Sequence, residues 1–261
     1  MGANVLVTGA SSGIGAATAL AFARSGATVG ICARREDRLT EVLAQCREHA
    51  PDSRMWVVDL ADLDALPAFV ARAEEELGGI DVLVNNAGVP KRRRSATLTL
   101  EDAHDVMRTN YYSPVALTVA ALPAMLARGS GDIVNVSSMG VHMVAFGVGA
   151  YAASKAALEM FTEALYVEIA GTGVQVHLLV PGTTLSEFST DKPGNDPPFP
   201  LDPRTAATPE QVADAIVACV DDDRFLTFAT DRDAATAAAK AADPNGFLVK
   251  MREALGGLRD G

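Results

Sequence analysis

The sequence predicts an α/β fold: a doubly wound parallel sheet with helices packed on both faces. Three observations carry this expectation. Short β-branched apolar runs alternate with longer Ala- and Leu-rich stretches at helical spacing. Those short runs are apolar throughout rather than alternating, as strands are when a parallel sheet is covered on both sides. A glycine-rich turn, Gly9 to Gly15, follows the first run immediately, and sheets of this kind bind ligands at the carboxyl ends of their strands. Right-handed crossovers then give the doubly wound order.

The elements follow in order. Asn4 to Thr8 is the first strand, and Ile14 to Arg24 the first helix. Thr28 to Cys32 is a strand, Arg38 to His49 a helix, and Met55 to Val58 a strand. Leu63 to Leu77 is helical and Asp81 to Val84 is again extended. A long helical region covers Leu100 to Ala127, with a bend expected near Pro114. Asp132 to Val136 and Val174 to Val180 are strands flanking a helix from Tyr151 to Ile169. Val212 to Val220 is helical, and Phe225 to Phe228 is a last strand. The tail after Asp231 is Ala-rich and helical and carries no evident chemistry.

Hydrophobic residues make up 49% of the 261, enough for one large core, so residues 1–261 are read as one domain without internal repeats. The formal net charge of −11 argues against nucleic acid or an anionic membrane as the main partner. Cys32, Cys46 and Cys219 form no pair with metal-ligand or redox spacing, so no metal site is expected. Cys32, in an apolar run, reads as a buried small hydrophobe. Little chain precedes the first strand and no run is long enough to span a bilayer, so a cytoplasmic protein is expected. Glu187 to Pro209 carries six prolines, counting Pro209, with little periodicity. A loop of that length near a strand's carboxyl end suggests a lid over a substrate.

The glycine turn reads Thr8-Gly9-Ala10-Ser11-Ser12-Gly13-Ile14-Gly15. Its glycines allow a tight turn and close approach to a ligand, and the helix that follows offers N–H groups and a positive dipole end to a pyrophosphate. Sites for NAD usually place an acid at the end of the second strand to hold the ribose. This chain has Ala33, Arg34 and Arg35 there. No carboxylate would repel a 2′-phosphate, and Arg34 can meet one with its planar fork. Arg35 could stack on the adenine or face water. NADP(H) is therefore expected over NAD(H).

Tyr151 and Lys155 are four residues apart on an expected helix, which puts both on one face. An ammonium beside a phenol would lower the phenol's pKa and make it a proton carrier near neutral pH. Ser137 and Ser138 follow the strand that ends at Val136, and either hydroxyl could bond a substrate oxygen.

Together these residues resemble the short-chain dehydrogenase/reductase superfamily over nearly the whole chain up to about Asp231. The motifs are Thr8-Gly-x-x-x-Gly-Ile-Gly15, Asn85-Asn86-Ala87-Gly88, Asn110, Ser138, Tyr151-x-x-x-Lys155 and Pro181-Gly182, all in the family's order. The family spacing of thirteen residues between serine and tyrosine selects Ser138. The resemblance implies a single-domain Rossmann-type fold and a catalytic set of Asn110, Ser138, Tyr151 and Lys155. Tyr151 would be the acid/base, and Lys155 would hold the nicotinamide ribose. Ser138 would orient the carbonyl, and Asn110 would hold a water in a proton relay. Besides Gly9, Ser11, Ser12, Gly13, Ile14, Gly15, Arg34 and Arg35, the implied cofactor set includes Asp59 and Leu60 at the adenine and Asn86, Ala87 and Gly88 at the ribose. Tyr151, Lys155, Pro181, Gly182, Thr184 and Ser186 complete it. Thr184 and Ser186 depart mildly from the family's usual residues. Homodimers or homotetramers are implied, with the helices before Ser138 and around Tyr151 at the interface.

Lys91-Arg92-Arg93-Arg94 reads either as a solvated loop or as a trap for an acidic substrate, such as a thioester on a carrier protein. Tyr111, Tyr112, His142, Met143 and Phe146 lie near catalytic residues in sequence and suggest a bulky apolar substrate. The expected function is an NADP(H)-dependent interconversion of a ketone or aldehyde and an alcohol. A 3-oxoacyl-thioester reductase and a hydroxysteroid dehydrogenase are alternatives within that class. A non-catalytic NADP(H) sensor is disfavoured because Tyr151 and Lys155 are both present. A sugar epimerase or dehydratase is disfavoured by the glycine spacing and the absence of a longer substrate domain.

Overall fold

The computed structural model describes residues 2–143, 145–190, 192–197 and 202–256. Strands β1 (Asn4–Thr8), β2 (Thr28–Ala33), β3 (Arg54–Val57) and β4 (Val82–Asn85) are joined by helices α1 (Gly13–Arg24), α2 (Glu36–Arg47) and α3 (Leu66–Leu77). After β4 come α4 (Leu100–Met107), α5 (Ser113–Arg128), β5 (Gly131–Val136), the short α6 (Met139–His142) and α7 (Gly149–Glu168). The chain then passes through β6 (Val174–Val180), α8 (Pro209–Asp221) and β7 (Leu226–Phe228) to α9 (Asp231–Ala242) and α10 (Pro244–Gly256).

The strands form one seven-stranded sheet in the order β3-β2-β1-β4-β5-β6-β7, every pair parallel. This is the Rossmann-type arrangement that the sequence predicts, and β1 and β6 have the expected ends. The order reverses between β1 and β4, where a doubly wound sheet opens a crevice.

Alternation along the strands divides the core. Val5, Val7, Val29, Ile31, Val82, Val84 and Val134 face α1, α2 and α8. Leu6, Cys32, Leu83 and Ile133 face the layer of α3, α5 and α7. Cys32 is fully buried, and that burial pushes its thiol up to about 12, so it behaves as the small hydrophobe expected. Asn85 and Asn135 are cross-strand neighbours pointing into the second layer. Asn85 donates to Asn135 (2.9 Å) and to Thr118 of α5 (3.2 Å), and Asn135 donates to Thr162 of α7 (2.9 Å).

The long helix after Leu100 does not bend at Pro114. It breaks earlier, in a π-helical turn over Arg108–Tyr112, and Pro114 sits in the first turn of α5, where its missing N–H costs nothing. Such wide turns are held by tertiary contacts and often mark functional sites. Here Asn110, fully buried, is the residue held. In the segment 187–209, Glu187–Ser189 forms a 3₁₀ turn and Thr184 bridges Ala207. Residues 191 and 198–201 of that segment lie outside the described residues. No described helix is long and apolar enough to cross a membrane.

Gly30 shows how tightly the second layer is packed. A Cβ there would stand 2.6 Å from the Trp56 ring and 2.9 Å from Leu77 Cδ1. Gly30→Ala is therefore expected to destabilise the fold by about 1–3 kcal/mol, as overpacking does. Urea unfolding followed by circular dichroism checks this, and an unchanged midpoint would contradict the packing described.

Candidate active site

The crevice begins with a single hydroxyl. Thr8 Oγ1 donates to the Val84 carbonyl (3.1 Å) and accepts the backbone N–H groups of Asn86 and Ala87 (both 3.0 Å). Asn86 Nδ2 returns a bond to the Thr8 carbonyl (2.8 Å). The turns after β1 and β4 are thereby pressed together. A Cβ on Gly9 would lie 2.8 Å from Ala87 Cα, and one on Gly15 would lie 2.5 Å from Asn86 Nδ2. Gly9 and Gly13 both have positive φ, at 67° and 56°. Only glycine fits these positions without strain.

A cavity of about 900 Å³ opens over this junction and runs along the carboxyl ends of the strands. It is lined by Gly9, Ser11, Ser12, Gly13, Ile14 and Gly15 of the turn, by Arg34 and Arg35 after β2, and by Asp59 and Leu60 after β3. Asn86, Ala87 and Gly88 after β4, Ser138 after β5, and Tyr151 and Lys155 of α7 line it further along, with Pro181, Gly182, Thr184 and Ser186 after β6. Every site residue expected from the sequence thus borders one space, except Asn110. That residue stands behind the wall. Its Oδ1 accepts from Val89 N (2.8 Å), and its Nδ2 donates to Val89 O and Ser154 Oγ (3.1 Å each).

At one end of the cavity Arg35 lies over the glycine turn. It donates to Ser12 Oγ (2.7 Å) and Ser11 Oγ (3.0 Å) and pairs with Glu187 (2.8 Å). It is thus not simply turned to water. Arg34 is exposed beside it and has no side-chain partner among the described residues. The size of the space and the glycine cradle at the start of α1 fit a dinucleotide, whose pyrophosphate the free N–H groups of that helix start would hold. Ser186 closes over the turn, since a Cβ at Gly13 would come within 3.2 Å of its own Cβ.

At the other end stand Tyr151, Ser138 and Lys155. Ser138 Oγ caps α6 by accepting from Gly140 N (3.0 Å). The Tyr151 ring packs against the same glycine, whose Cβ would lie 3.4 Å from it. Burial raises the Tyr151 pKa, and a hydrogen bond with Ser138 opposes the rise. Desolvation sets the direction of the shift, and Lys155 is not among its causes in this geometry. Burial also lowers Lys155, to about 8, while Glu159 pulls it back up. Lys155 Nζ donates to the Val136 carbonyl (2.8 Å).

The two serines are separated by their partners. Ser137 Oγ is turned away to Glu159 (2.5 Å), which also meets His142 Nε2 (3.1 Å). Sequence reasoning missed Glu159, although its place one turn after Lys155 on the same helix face was a usable signal. Of the suggested pocket residues, Met143 borders the cavity, with Ala145, Val148 and Phe188 beside it, but Tyr111, Tyr112, His142 and Phe146 do not. Phe188 packs on Tyr151 with ring centroids 5.7 Å apart.

The basic run is not simply solvated: Lys91 and Arg92 border the cavity, and Arg92, Arg93 and Arg94 fasten Thr190, Gly194 and Asp196. Lys91 pairs with Asp102 (2.6 Å). Arg92, only 6% exposed, donates to the carbonyls of Thr190 (2.8 Å) and Asp196 (3.1 Å). Arg93 donates to the Gly194 carbonyl (3.0 Å), and the Arg94 N–H bonds Asp196 (2.9 Å).

A family model described as short chain dehydrogenase matches residues 3–196. An uncharacterized oxidoreductase of Mycobacterium bovis is 39% identical over 218 residues, which are 81% of this chain and 62% of that protein. The chain thus spans less than two thirds of that relative's length. The ketoacyl reductase HetN of Nostoc sp. is 34% identical over 227 residues, 84% of this chain and 75% of HetN. The structure of a short-chain dehydrogenase from Sphingobium yanoikuyae in complex with NADPH superposes with a TM-score of 0.80 at 28% identity, covering 95% of each chain. With sequence and fold matched across most of its length, this chain belongs to the short-chain dehydrogenase/reductase superfamily.

Proposed function

We propose that the protein is an NADP(H)-dependent oxidoreductase that interconverts a ketone or aldehyde and an alcohol, with Tyr151 as acid/base. The observation that carries this reading is one continuous cavity with Tyr151 and Ser138 at one end and the glycine turn with Arg34 and Arg35 at the other. The cofactor, when bound, supplies or accepts the hydride. Ser138 donates a hydrogen bond to the substrate oxygen and sets its position. Tyr151 gives its phenolic proton to that oxygen in reduction and takes one back in oxidation. Its raised pKa keeps the proton on at neutral pH, which suits reduction. Lys155, an ammonium below about 8, stabilises the phenolate left behind. Asn110 anchors the loop at Val89 to α7 and so holds the floor beneath Lys155.

Met143, Ala145, Val148 and Phe188 make the substrate end largely apolar, which supports an apolar carbonyl compound. The likeness to HetN supports a second reading within the class, a 3-oxoacyl-thioester reductase. Coupled absorbance assays over ketones, aldehydes and thioesters separate the two. Residues 187–209 act as the lid, with Arg92 as their anchor. The outer faces of α5 and α7 expose Val119 (60%), Met160 (64%) and Val167 (72%), which supports a homodimer or homotetramer through these helices. Val119→Glu with Val167→Glu is expected to give a monomer in light scattering, and an unchanged mass would remove this interface.

Tyr151→Phe is expected to keep cofactor affinity and lose about 10²–10⁴ in single-turnover rate. Near-normal turnover would remove Tyr151 from its role. Arg34→Ala is expected to raise the KM for NADPH at least about tenfold, the lower end for a charged hydrogen bond, because the side chain is exposed. The KM for NADH should hardly change. Adding Ala33→Asp should shift preference toward NADH by attracting the ribose hydroxyls and repelling phosphate. Comparing kcat/KM for both cofactors decides this: a wild type that prefers NADH would overturn the NADP(H) reading.

A further inference from the structure

Glu187 occupies Arg35, one of the two arginines at the glycine-turn end of the cavity. Arg35 spends Nε and Nη2 on the hydroxyls of Ser11 and Ser12 and turns Nη1 to Glu187 Oε2 at 2.8 Å. Arg38 approaches the other carboxylate oxygen at 3.7 Å. Arg35 and Arg38 hold the carboxyl below its usual range, so it is ionised at neutral pH. The carboxylate stands at the rim of the cavity, beside the glycine turn and Arg34.

The same residue opens the 187–189 turn, and the next one, Phe188, lies on the Tyr151 ring. The two ends of the cavity are therefore joined by two consecutive residues of the lid. One holds the basic cluster and the other covers the acid/base.

We propose that Glu187 is a cofactor-specificity residue, an internal stand-in for the 2′-phosphate on Arg35 whose displacement also frees Phe188 from Tyr151. This rests on the NADP(H) reading above. A phosphate carries about −1.5 to −2 charge and three acceptor oxygens, against one charge and two oxygens for the carboxylate. It takes Arg35 and repels Glu187. A cofactor with only a 2′-hydroxyl has no charge with which to displace the pair, so it binds with the lid still fastened over Tyr151. Both partners of the pair are nearly half exposed, at 45% and 43%, so the bond is weak enough to exchange.

The test uses the full chain and two small probes, 2′-AMP and 5′-AMP, titrated calorimetrically at low ionic strength. Wild type should bind 2′-AMP more tightly than 5′-AMP. Glu187→Gln should tighten 2′-AMP about three- to tenfold, the order expected from losing an exposed ion pair and a like-charge contact, and leave 5′-AMP unchanged. Glu48→Gln, an exposed acid at the end of α2, controls for net charge; an equal gain there would overturn the proposal. Hydrogen exchange across 187–190 in wild type should rise with 2′-AMP and stay level with 5′-AMP. Equal 2′-AMP affinity in wild type and Glu187→Gln removes Glu187 as the stand-in and leaves the NADP(H) reading intact. If 2′-AMP binds no better than 5′-AMP in both proteins, the NADP(H) reading falls and this inference falls with it.

Discussion

The Thr8 hydroxyl sets the distance on which the cavity depends. By donating to β4 and accepting two N–H groups from the chain just past it, it holds the turns after β1 and β4 closer than side chains would allow. The glycines follow from that approach. Gly9 and Gly15 face Ala87 and Asn86 at distances that leave no room for a Cβ. A sheet whose order reverses between β1 and β4 opens a crevice at that point, and the interlock keeps its floor low and rigid. The cavity floor is therefore largely backbone, with N–H groups at the start of α1 directed toward it.

The remaining polar parts are arranged from that floor outward. The buried Asn85–Asn135 pair ties β4 and β5 to α5 and α7, so the helix carrying Tyr151 and Lys155 is registered to the strand that ends beside Ser138. Glu159 accepts the Ser137 hydroxyl and leaves Ser138 as the hydroxyl beside Tyr151. The basic run binds across to 187–196 through carbonyls and Asp196, so a protein with a strongly acidic balance keeps cations where chain must be fastened.

Most of the fold and the cavity lining were legible because they depend on local signals: apolar runs, glycine turns and helical spacing. The Tyr151 and Lys155 pair is legible for the same reason, since four residues of helix place both on one face whatever surrounds them. What could not be read depends on partners remote in sequence. The break in the long helix lies at Arg108–Tyr112 because Asn110 is gripped by Val89 and Ser154; Pro114, the visible local signal, merely starts the next helix. Arg92 looks like a solvated charge until Thr190 and Asp196, about a hundred residues later, are folded onto it. The direction of the Tyr151 shift turns on burial, which spacing does not report.

The π-helical turn makes chain length itself a structural quantity. A π turn takes up about one residue more than an α turn, and a regular α-helix turns about 100° per residue, so winding Arg108–Tyr112 as regular α-helix would rotate α5 by most of that angle. Thr118 would then swing off Asn85, and α5 would present a different side to β4 and β5. Backbone hydrogen bonding along the helix would improve while its fit to the sheet was lost. An insertion within α5 before Thr118 would turn Thr118 off Asn85 though every side chain of the cavity remained, whereas a substitution at an exposed position such as Tyr112 leaves the count, and therefore the phase of α5, untouched.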